Sequence, residues 1–491
     1  MDEETPLERE RRAKVARWRA DGREPYPWSF PGRVDSGVVR AACAALAPGS
    51  EEPTRSFRVG GRLKIVRQHG RTAFADLEDL AGGLQLILRV DELGEEAYRA
   101  WLADLDPGDL VGADGIAAVS RRGEPSLLVR SLTLLAKAIT PPPEKYHGLQ
   151  DVEERLRRRY VDLLASAEVR ERFRVRTLLV REIRQYFDAL DFLEVETPIL
   201  QTVASGAAAA PFVTRSNYLG RELRLRIAEE LPLKRLLVGG LERVYEIGRA
   251  FRNEDLDSTH SPEFTELEAY WAYADYHDMR RLTEGLYERL ARRTVELWPD
   301  RPEVARAAER FRPPFPTLDF VDALEAASGI PRLLEKSREE LRALARAAGS
   351  TVPDNSSTGT FLDKLFEHYV EPSIDRVTFV VDFPTATTPL AKRHRSKPGR
   401  VERFEVFAPG FELANAYTEL TDPDEQEERF RSQLGERGDD AYAHDADFVE
   451  ALRYGLPPTT GIGMGIDRLV MALLGLPSIK DALLFPLVRS R

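Results

Sequence analysis

The stretch ERVYEIGRAFRNEDLDSTHSPEFTELEAYWAYADY, residues 242–276, decides the fold of this chain. An apolar run delivers Arg252, a polar loop follows, and a second apolar run carries acidic and phenolic side chains. If the second run is a strand, its alternation places Glu266, Glu268 and Tyr270 on one face. A pocket with several carboxylates suits a cationic group on a ligand, although each glutamate alone is also compatible with an ordinary surface charge.

A second acidic set lies in RFEVFAPGFELANAYTELTDPDEQ, residues 403–426, where Glu405 and Glu412 stand in or beside apolar runs. Carboxylates in such surroundings need a partner, and magnesium bound to a nucleotide is one; salt bridges to nearby arginines are the alternative. A third segment, GIGMGIDRLVMALLG at 461–475, joins a glycine strand to an amphipathic helix that carries Arg468 at its start. Its glycines would let a backbone approach a flat ligand, or form a plain strand-to-helix turn.

Length and composition set wider bounds. A chain of 491 residues with 42% hydrophobic content exceeds one ordinary core, so we expect two or more domains. The net charge of -11 argues against a uniformly basic coat, but 71 Lys and Arg residues can form local basic faces. The single Cys43 excludes an intramolecular disulfide and a Cys-based zinc site. The sequence shows neither a signal-like opening nor an apolar run near the ~18 residues of a membrane helix, which predicts a soluble, cytoplasmic protein.

Composition shifts divide the chain into four predicted parts. Residues 1–50 form a helical extension, whose basic segment at 8–20 is either a solvated helix or one that contacts an RNA backbone. Residues 51–140 hold five strand-like runs and one helical stretch, which predicts an all-β barrel of the OB type. Residues 141–151 form a proline-rich linker. Residues 152–491 mix helices and strands without regular βαβ spacing, which favours an α+β domain around an antiparallel sheet.

Several familiar motifs are absent from the sequence. It has no Gly-Lys pair, which excludes a P-loop, and GIGMGIDR lacks the third glycine that a Rossmann fingerprint needs three residues after the second. It also has no HExxH motif, no GxSxG motif and no cysteine pair. These absences exclude a zincin metalloprotease, a hydrolase with a GxSxG nucleophile and a thioredoxin-like protein.

The quoted segments together resemble the three signature motifs of class II aminoacyl-tRNA synthetases. Their residues are similar to those of the lysyl-tRNA synthetases in particular. DFLEVETPIL at 191–200 resembles motif 1, ERVYEIGRAFRNE with HSPEF resembles motif 2, and the segment 461–475 resembles motif 3. The similarity continues through ELPLKRLLVGG, PLAKRHRSKPG and ELANAYTELTDP to LFPLVR, so it covers nearly the whole chain. It implies a class II catalytic domain preceded by an anticodon-binding OB barrel.

The resemblance assigns an ATP site residue by residue. Arg252 would clamp the α-phosphate and the amino-acid carboxylate, and Phe264 would stack on adenine. Glu254 would read the adenine amino group, while His260 and Arg468 would hold the γ-phosphate. Arg252 and Arg468 are the implied catalytic residues, because they would offset the charge that develops at the phosphates.

The resemblance also implies a lysine site, a metal site and a tRNA site. Gly206 and Glu230 would contact the α-amino group of lysine, and Glu405 and Glu412 would bind Mg²⁺ with ATP. The implied pocket for the lysine side chain contains Glu268, Tyr270, Asn415 and Glu419. The implied anticodon contacts of the barrel are Arg62, Phe74 and Gln85. Without the resemblance, Phe74 would be read as a core residue rather than a stacking platform.

The implied partners are tRNA(Lys), lysine, ATP and a second copy of the chain in a homodimer. None of the departures from the usual lysyl pattern removes an assigned residue, and we expect them at the pocket rim, where lysine analogues are told apart. They are Ala210, Arg215, Ser216, Glu229, Pro232 and Ala269.

Three other functions compete with tRNA charging. One is a lysine ligase that acts on a protein acceptor, like the elongation factor P lysyl ligases, which resemble the catalytic domain alone. Another is a noncatalytic RNA-binding paralogue, which would have no need for an ATP–magnesium constellation. Aspartyl or asparaginyl specificity is disfavoured, because Glu268 and Glu419 would repel an anionic side chain.

Overall fold

The computed structural model describes residues 4–143, 151–203, 206–207, 209–436 and 445–488. The chain forms two compact units, the first of residues 1–150 with 160–165 and the second of residues 151–159 with 166–491. Most of the predicted linker lies outside the described residues, and the four-part division of the chain remains a proposal. Within the described ranges, no helix is both long and apolar enough to cross a membrane.

The first unit contains a closed barrel of five strands in the order β1-β2-β3-β5-β4. Inward positions of β2 and β3, such as Ala75, Leu77 and Leu86, are buried, and the residues between them are more exposed. This alternation is the physical basis of the predicted barrel, which the structure confirms. The strands are β1 Glu51–His69, β2 Thr72–Asp79, β3 Gly82–Arg89, β4 Leu110–Val119 and β5 Pro125–Ala136. The helices are α1 Pro6–Ala20, α2 Ser36–Cys43, α3 Val90–Leu93 and α4 Glu95–Asp104.

The basic helix α1 packs within the first unit. Thr5 caps it by accepting a hydrogen bond from the Glu8 N–H at 3.2 Å. Lys14 Nζ donates to Asp106 at 2.9 Å, and Trp18 Nε1 donates to Asp104 at 2.8 Å. Some side chains of α1 therefore form hydrogen bonds to acidic residues of the same unit. The interpretation of α1 as a solvated helix is wrong for these side chains.

The second unit is built on an eight-stranded sheet in the order β12-β13-β14-β15-β16-β11-β10-β6, with a separate three-stranded sheet β7-β9-β8. Its pairings are antiparallel except β6–β10 and β12–β13. This confirms the predicted α+β class around an antiparallel sheet. The strands of the large sheet are β6 Leu193–Glu194, β10 Arg243–Phe251, β11 Glu263–Ala272, β12 Thr317–Asp319, β13 Thr378–Val381, β14 Arg403–Ala408, β15 Phe411–Thr418 and β16 Thr459–Gly465. The small sheet contains β7 Leu200–Gln201, β8 Val213–Ser216 and β9 Arg221–Leu225.

Both faces of the large sheet pack into hydrophobic cores, and one of them also lines a cavity. Leu267 and Ala269 of β11 join a core with helical residues such as Leu179 and Leu286. The intervening glutamates and tyrosine of β11 point to the other face, where they line a cavity. A strand with a period of two therefore supplies both the core and the site. The remaining helices are α5 Val152–Arg157, α6 Arg159–Ala165, α7 Ala167–Asp188, α8 Glu230–Val238, α9 Tyr276–Leu297, α10 Pro302–Glu309, α11 Phe320–Ser328, α12 Arg338–Ala347, α13 Thr358–Tyr369, α14 Pro423–Glu436, α15 Ala446–Arg453, α16 Ile466–Leu474 and α17 Ile479–Ala482.

Candidate active site

A cavity of about 370 Å³ lies on the face of the large sheet that carries Glu266, Glu268 and Tyr270. The structure brings to its wall all but one of the residues that the sequence assigned to ATP, lysine and magnesium. They are Gly206, Glu230, Arg252, Glu254, His260, Phe264, Glu268, Tyr270, Glu405, Glu412, Asn415 and Arg468. The remaining one, Glu419, is buried directly behind the wall, next to Gly461.

Two arginines are held at the cavity by backbone carbonyl groups. Arg252 Nε donates to the Ile227 carbonyl at 3.3 Å, and its guanidinium carbon lies 5.1 Å from the centroid of the Phe264 ring. Arg468 donates to the carbonyls of Thr259 at 3.0 Å and Glu412 at 3.2 Å. Arg252 also lies 3.9 Å from the Glu266 carboxylate, a long contact that offsets part of its charge. The neutral carbonyls orient both guanidinium groups without cancelling their charge, so both arginines can attract an anionic ligand.

The loop between β10 and β11 carries the other predicted nucleotide contacts. Glu254 and His260 are exposed there, and His260 Nδ1 lies 2.8 Å from Asp257 Oδ2. Partial burial would raise the pKa of Asp257, but hydrogen bonds from Thr259 and His260 lower it to about 2. A carboxylate that stays ionised in this way orients the His260 ring.

Glu405 and Glu412 form the predicted metal pair on adjacent strands, with Glu405 opposite Asn415 in the register. Burial raises the pKa of Glu405 to about 8; the adjacent Arg403, which donates to it, lowers the pKa, and Glu412 raises it. Two neighbouring carboxylates in low dielectric are a hard-oxygen donor set, and a divalent cation would relieve their repulsion. The residues present therefore fit magnesium, with Arg403 as a competing partner for Glu405, as the salt-bridge alternative anticipated.

Part of the cavity wall is strongly acidic. Glu268 is 4% exposed and accepts hydrogen bonds from the Tyr270 hydroxyl at 2.8 Å and the Glu229 N–H at 2.8 Å. Burial, and then Glu229 and Glu266, raise the pKa of Glu268 well above its usual value. A bound cation would favour the ionised form of Glu268.

Sequence reasoning missed Lys234, which is fully buried on α8. Its ammonium lies 2.5 Å from Glu230 Oε1 and also pairs with Glu419 Oε2. The Tyr417 hydroxyl donates to the same Glu230 oxygen at 2.6 Å. The spacing of four residues from Glu230 to Lys234 was the available signal, but such pairs are common on helix surfaces.

Glu229 differs from the expectation that it lies at the rim of the pocket. Its side chain is completely buried and its Oε1 lies 2.9 Å from Arg226, which also donates to Glu246 at 2.6 Å. Burial, together with Glu266, raises the pKa of Glu229 to about 8, although Arg226 lowers it. The rim assignment was wrong for Glu229 because its backbone N–H turns toward Glu268 and its side chain turns into the unit's interior. It was also wrong for Ala269, whose side chain lies in the core on the opposite face of β11.

The predicted anticodon residues lie in the barrel. Phe74 and Gln85 are half-buried on the adjacent strands β2 and β3, on the opposite face from the buried Ala73 and Leu86. Phe74 therefore does not belong to the core, and the reading based on residue type alone was wrong. Arg62, on β1, donates to the Gly108 carbonyl at 2.6 Å.

Comparison with known proteins first defines the class. Residues 151–489 match the model of the class II tRNA synthetases (D, K and N), and residues 57–135 match the OB-fold nucleic acid binding domain of the tRNA anticodon-binding type. The chain belongs to the class II tRNA synthetases.

Curated relatives then narrow the similarity. The chain is 46% identical over 489 residues, 99% of each chain, to the lysine–tRNA ligase of Roseiflexus castenholzii. It is 44% identical over 98% of its length and 96% of the relative's to the lysine–tRNA ligase of Shouchella clausii. It is 45% identical to lysine–tRNA ligase 2 of Methanosarcina acetivorans, over 95% of this chain and 91% of that one.

Proposed function

We propose that the protein is a lysine–tRNA ligase, which activates L-lysine with ATP and transfers it to the 3′ end of tRNA(Lys). The observation that carries this proposal is the mixed charge of one cavity, whose wall holds Arg252 and Arg468 as well as the buried Glu268 and Tyr270. The arginines suit phosphates and a carboxylate, and the buried acidic groups suit ammonium groups. A substrate that carries both kinds of group matches this lining.

In the first step, the lysine carboxylate attacks the α-phosphate of ATP, the bond to the β-phosphate breaks, and pyrophosphate leaves. Arg252 holds the two reacting anions together and offsets their charge. Phe264 stacks on adenine, Glu254 accepts from its amino group, and His260 and Arg468 bind the γ-phosphate. In the second step, a ribose hydroxyl of tRNA attacks the lysyl-adenylate carbonyl, and AMP leaves.

Magnesium is the implied metal, and Glu405 and Glu412 would hold it. When bound, it supplies positive charge beside the phosphates of ATP. Arg403, which donates to Glu405, would have to share or release this carboxylate for the metal to bind. Arg403 is also anchored by a 3.0 Å hydrogen bond to Asn415.

The acidic residues of the cavity wall would select lysine among the amino acids. Gly206 and Glu230 would contact the α-amino group, while Glu268, Tyr270, Asn415 and Glu419 would surround the side chain. Gly206 has φ of +96°, and a Cβ there would lie 3.2 Å from the Glu230 Cβ, so a side chain would crowd this contact. Aspartate would bring an anion among buried carboxylates and be rejected.

The barrel supports tRNA rather than a protein as the acceptor. Phe74 offers a ring on the outer face of the sheet, and Gln85 offers hydrogen-bonding groups two strand positions away from it across β2 and β3. A stacking ring with a polar neighbour suits single-stranded anticodon bases. A ligase that modifies a protein would have no use for this surface.

We also propose a cytoplasmic homodimer. In the segment that resembles motif 1, Leu193, Ile199 and Leu200 are 53%, 42% and 51% exposed. Apolar side chains grouped in this way favour burial against a second copy of the chain. Light scattering of the purified protein tests this, and a monomer at micromolar concentration would refute it.

Charging of total tRNA with each of the labelled amino acids, run beside pyrophosphate exchange, tests the main proposal. We expect both reactions with lysine alone. Lysine-dependent exchange without charging would point to a protein acceptor, and no exchange with any amino acid would point to a noncatalytic RNA-binding protein.

A further inference from the structure

The ammonium group of Lys234 is enclosed by acidic and aromatic side chains, several of which also line the cavity. Its side chain is 0% exposed, and its ammonium pairs with both Glu230 and Glu419. Three aromatic rings surround the same ammonium at 5.4 to 5.9 Å from their centroids, namely Tyr270, Tyr417 and Phe448. The protein thus places a fixed cation among the groups that are proposed to recognise the substrate's ammonium groups.

The two oxygens of Glu419 have different surroundings. Lys234 pairs with Oε2. On the other side, a Cβ at Gly461 would lie only 2.4 Å from Oε1, and Gly461 lines the cavity. Within the part of the chain that the structure describes, both buried oxygens are without a hydrogen bond of regular geometry, and Oε2 alone has the ionic contact with Lys234. A buried acceptor beside a cavity is stabilised when a ligand supplies the donor.

We propose that Lys234 is a positioning residue that holds Glu230 and Glu419 in place, favours their ionised forms, and leaves Glu419 Oε1 to accept from the side-chain ammonium of lysine. This inference rests on the proposed function. Without Lys234, the two glutamates would share a proton or turn away from each other, and the incoming lysine would have to reorganise the pocket.

The charges around Lys234 support this role. Although burial disfavours the charged amine, Glu230 and Glu419 raise the pKa of Lys234 above its usual value. Burial raises the pKa of Glu419 to about 8, while Lys234 lowers it and Glu230 raises it. Tyr270, Tyr417 and, through the Tyr270 hydroxyl, Glu268 are the other titratable groups that face this pair. Loss of the Lys234 charge therefore raises the pKa of Glu419 further.

The test compares Lys234→Met with the wild-type enzyme in lysine-dependent pyrophosphate exchange. We expect KM for lysine to rise by at least about tenfold near neutral pH, while KM for ATP stays within about twofold. The ratio of the two lysine KM values should fall severalfold as the pH rises from about 7.5 to about 9.5, because the variant's Glu419 ionises at a higher pH. Titration of the substrate itself cancels in this ratio.

A second neutral variant and a control variant complete the test. Lys234→Gln is also neutral and should show the same fall in the ratio, and it carries the test should the methionine variant fail to fold. Lys364→Met removes a half-buried lysine that pairs with Glu367 outside the cavity and should leave both KM values unchanged. A ratio that does not change with pH, or an equal rise in KM for ATP, would overturn the positioning role. Lack of lysine-dependent exchange by the wild-type protein would instead overturn the proposed function.

Discussion

Gly461 lies opposite Tyr270 in the register between β11 and β16, and a Cβ at Gly461 would lie 2.3 Å from Cε1 of the Tyr270 ring. The neighbouring Gly463 lies opposite Glu268 in the same register. The glycines of β16 thus make room for side chains of the adjacent strand that line the pocket. A plain strand-to-helix turn would not require this close approach.

The substitution Gly461→Ala should therefore impair lysine binding. The added methyl group would displace the Tyr270 ring or Glu419, which we expect to raise KM for lysine by about tenfold or more with little change in KM for ATP. Pyrophosphate exchange measures both constants. Gly83→Ala is the matched control, because a Cβ at Gly83 meets no atom within 4 Å. Unchanged lysine binding in Gly461→Ala would show that the pocket does not depend on this close approach.

Phe74→Ala should separate the two steps of the reaction. Loss of one stacking ring costs about 1–3 kcal/mol, so we expect KM for tRNA to rise by about tenfold in charging assays. Lysine-dependent pyrophosphate exchange should be unchanged, because it needs no tRNA. Trp28→Ala removes a more exposed aromatic residue outside the barrel strands and serves as the control. A loss of exchange in Phe74→Ala would indicate a structural role for this ring.

The sequence predicted the parts of this protein that depend on local periodicity. Alternation in β11 correctly placed Glu268 and Tyr270 on one face, and turn-bounded runs correctly predicted the barrel. The burial of Lys234 and Glu229 was not predicted, because it depends on strands far away in the chain. A Glu–Lys pair four residues apart looks the same on an exposed helix as it does beneath β15. Long-range packing, which a local pattern does not encode, buried these two residues next to the groups that line the cavity.

Glu405→Gln should change the response to magnesium. The amide keeps the shape of the side chain but loses the charge, so we expect activation to require a severalfold higher Mg²⁺ concentration and to have a lower maximal rate. A magnesium titration of pyrophosphate exchange at fixed ATP measures both effects. Glu263→Gln, at an exposed position on β11, is the control. An identical magnesium dependence in Glu405→Gln would remove Glu405 from the proposed metal site.

Glu229→Gln should stabilise the protein, and more so at alkaline pH. Burial, followed by Glu266, raises the pKa of Glu229 to about 8, whereas the unfolded chain should titrate near the ordinary value for a glutamate. Between these values the folded state holds a proton that the unfolded state has lost, so the free energy of unfolding falls as pH rises through this window. Glutamine does not titrate, so the variant lacks this fall in the free energy of unfolding, while Arg226 keeps its ion pair with Glu246.

We expect the gain from Glu229→Gln to be small near pH 5 and to reach about 2 kcal/mol or more near pH 8. Thermal unfolding of wild type and variant at both pH values measures this difference. Glu222→Gln, on an exposed position of β9, should give no pH-dependent gain. Equal gains at the two pH values would mean that Glu229 is ionised throughout. A loss of stability near pH 8 would mean that its ion pair with Arg226 outweighs its burial.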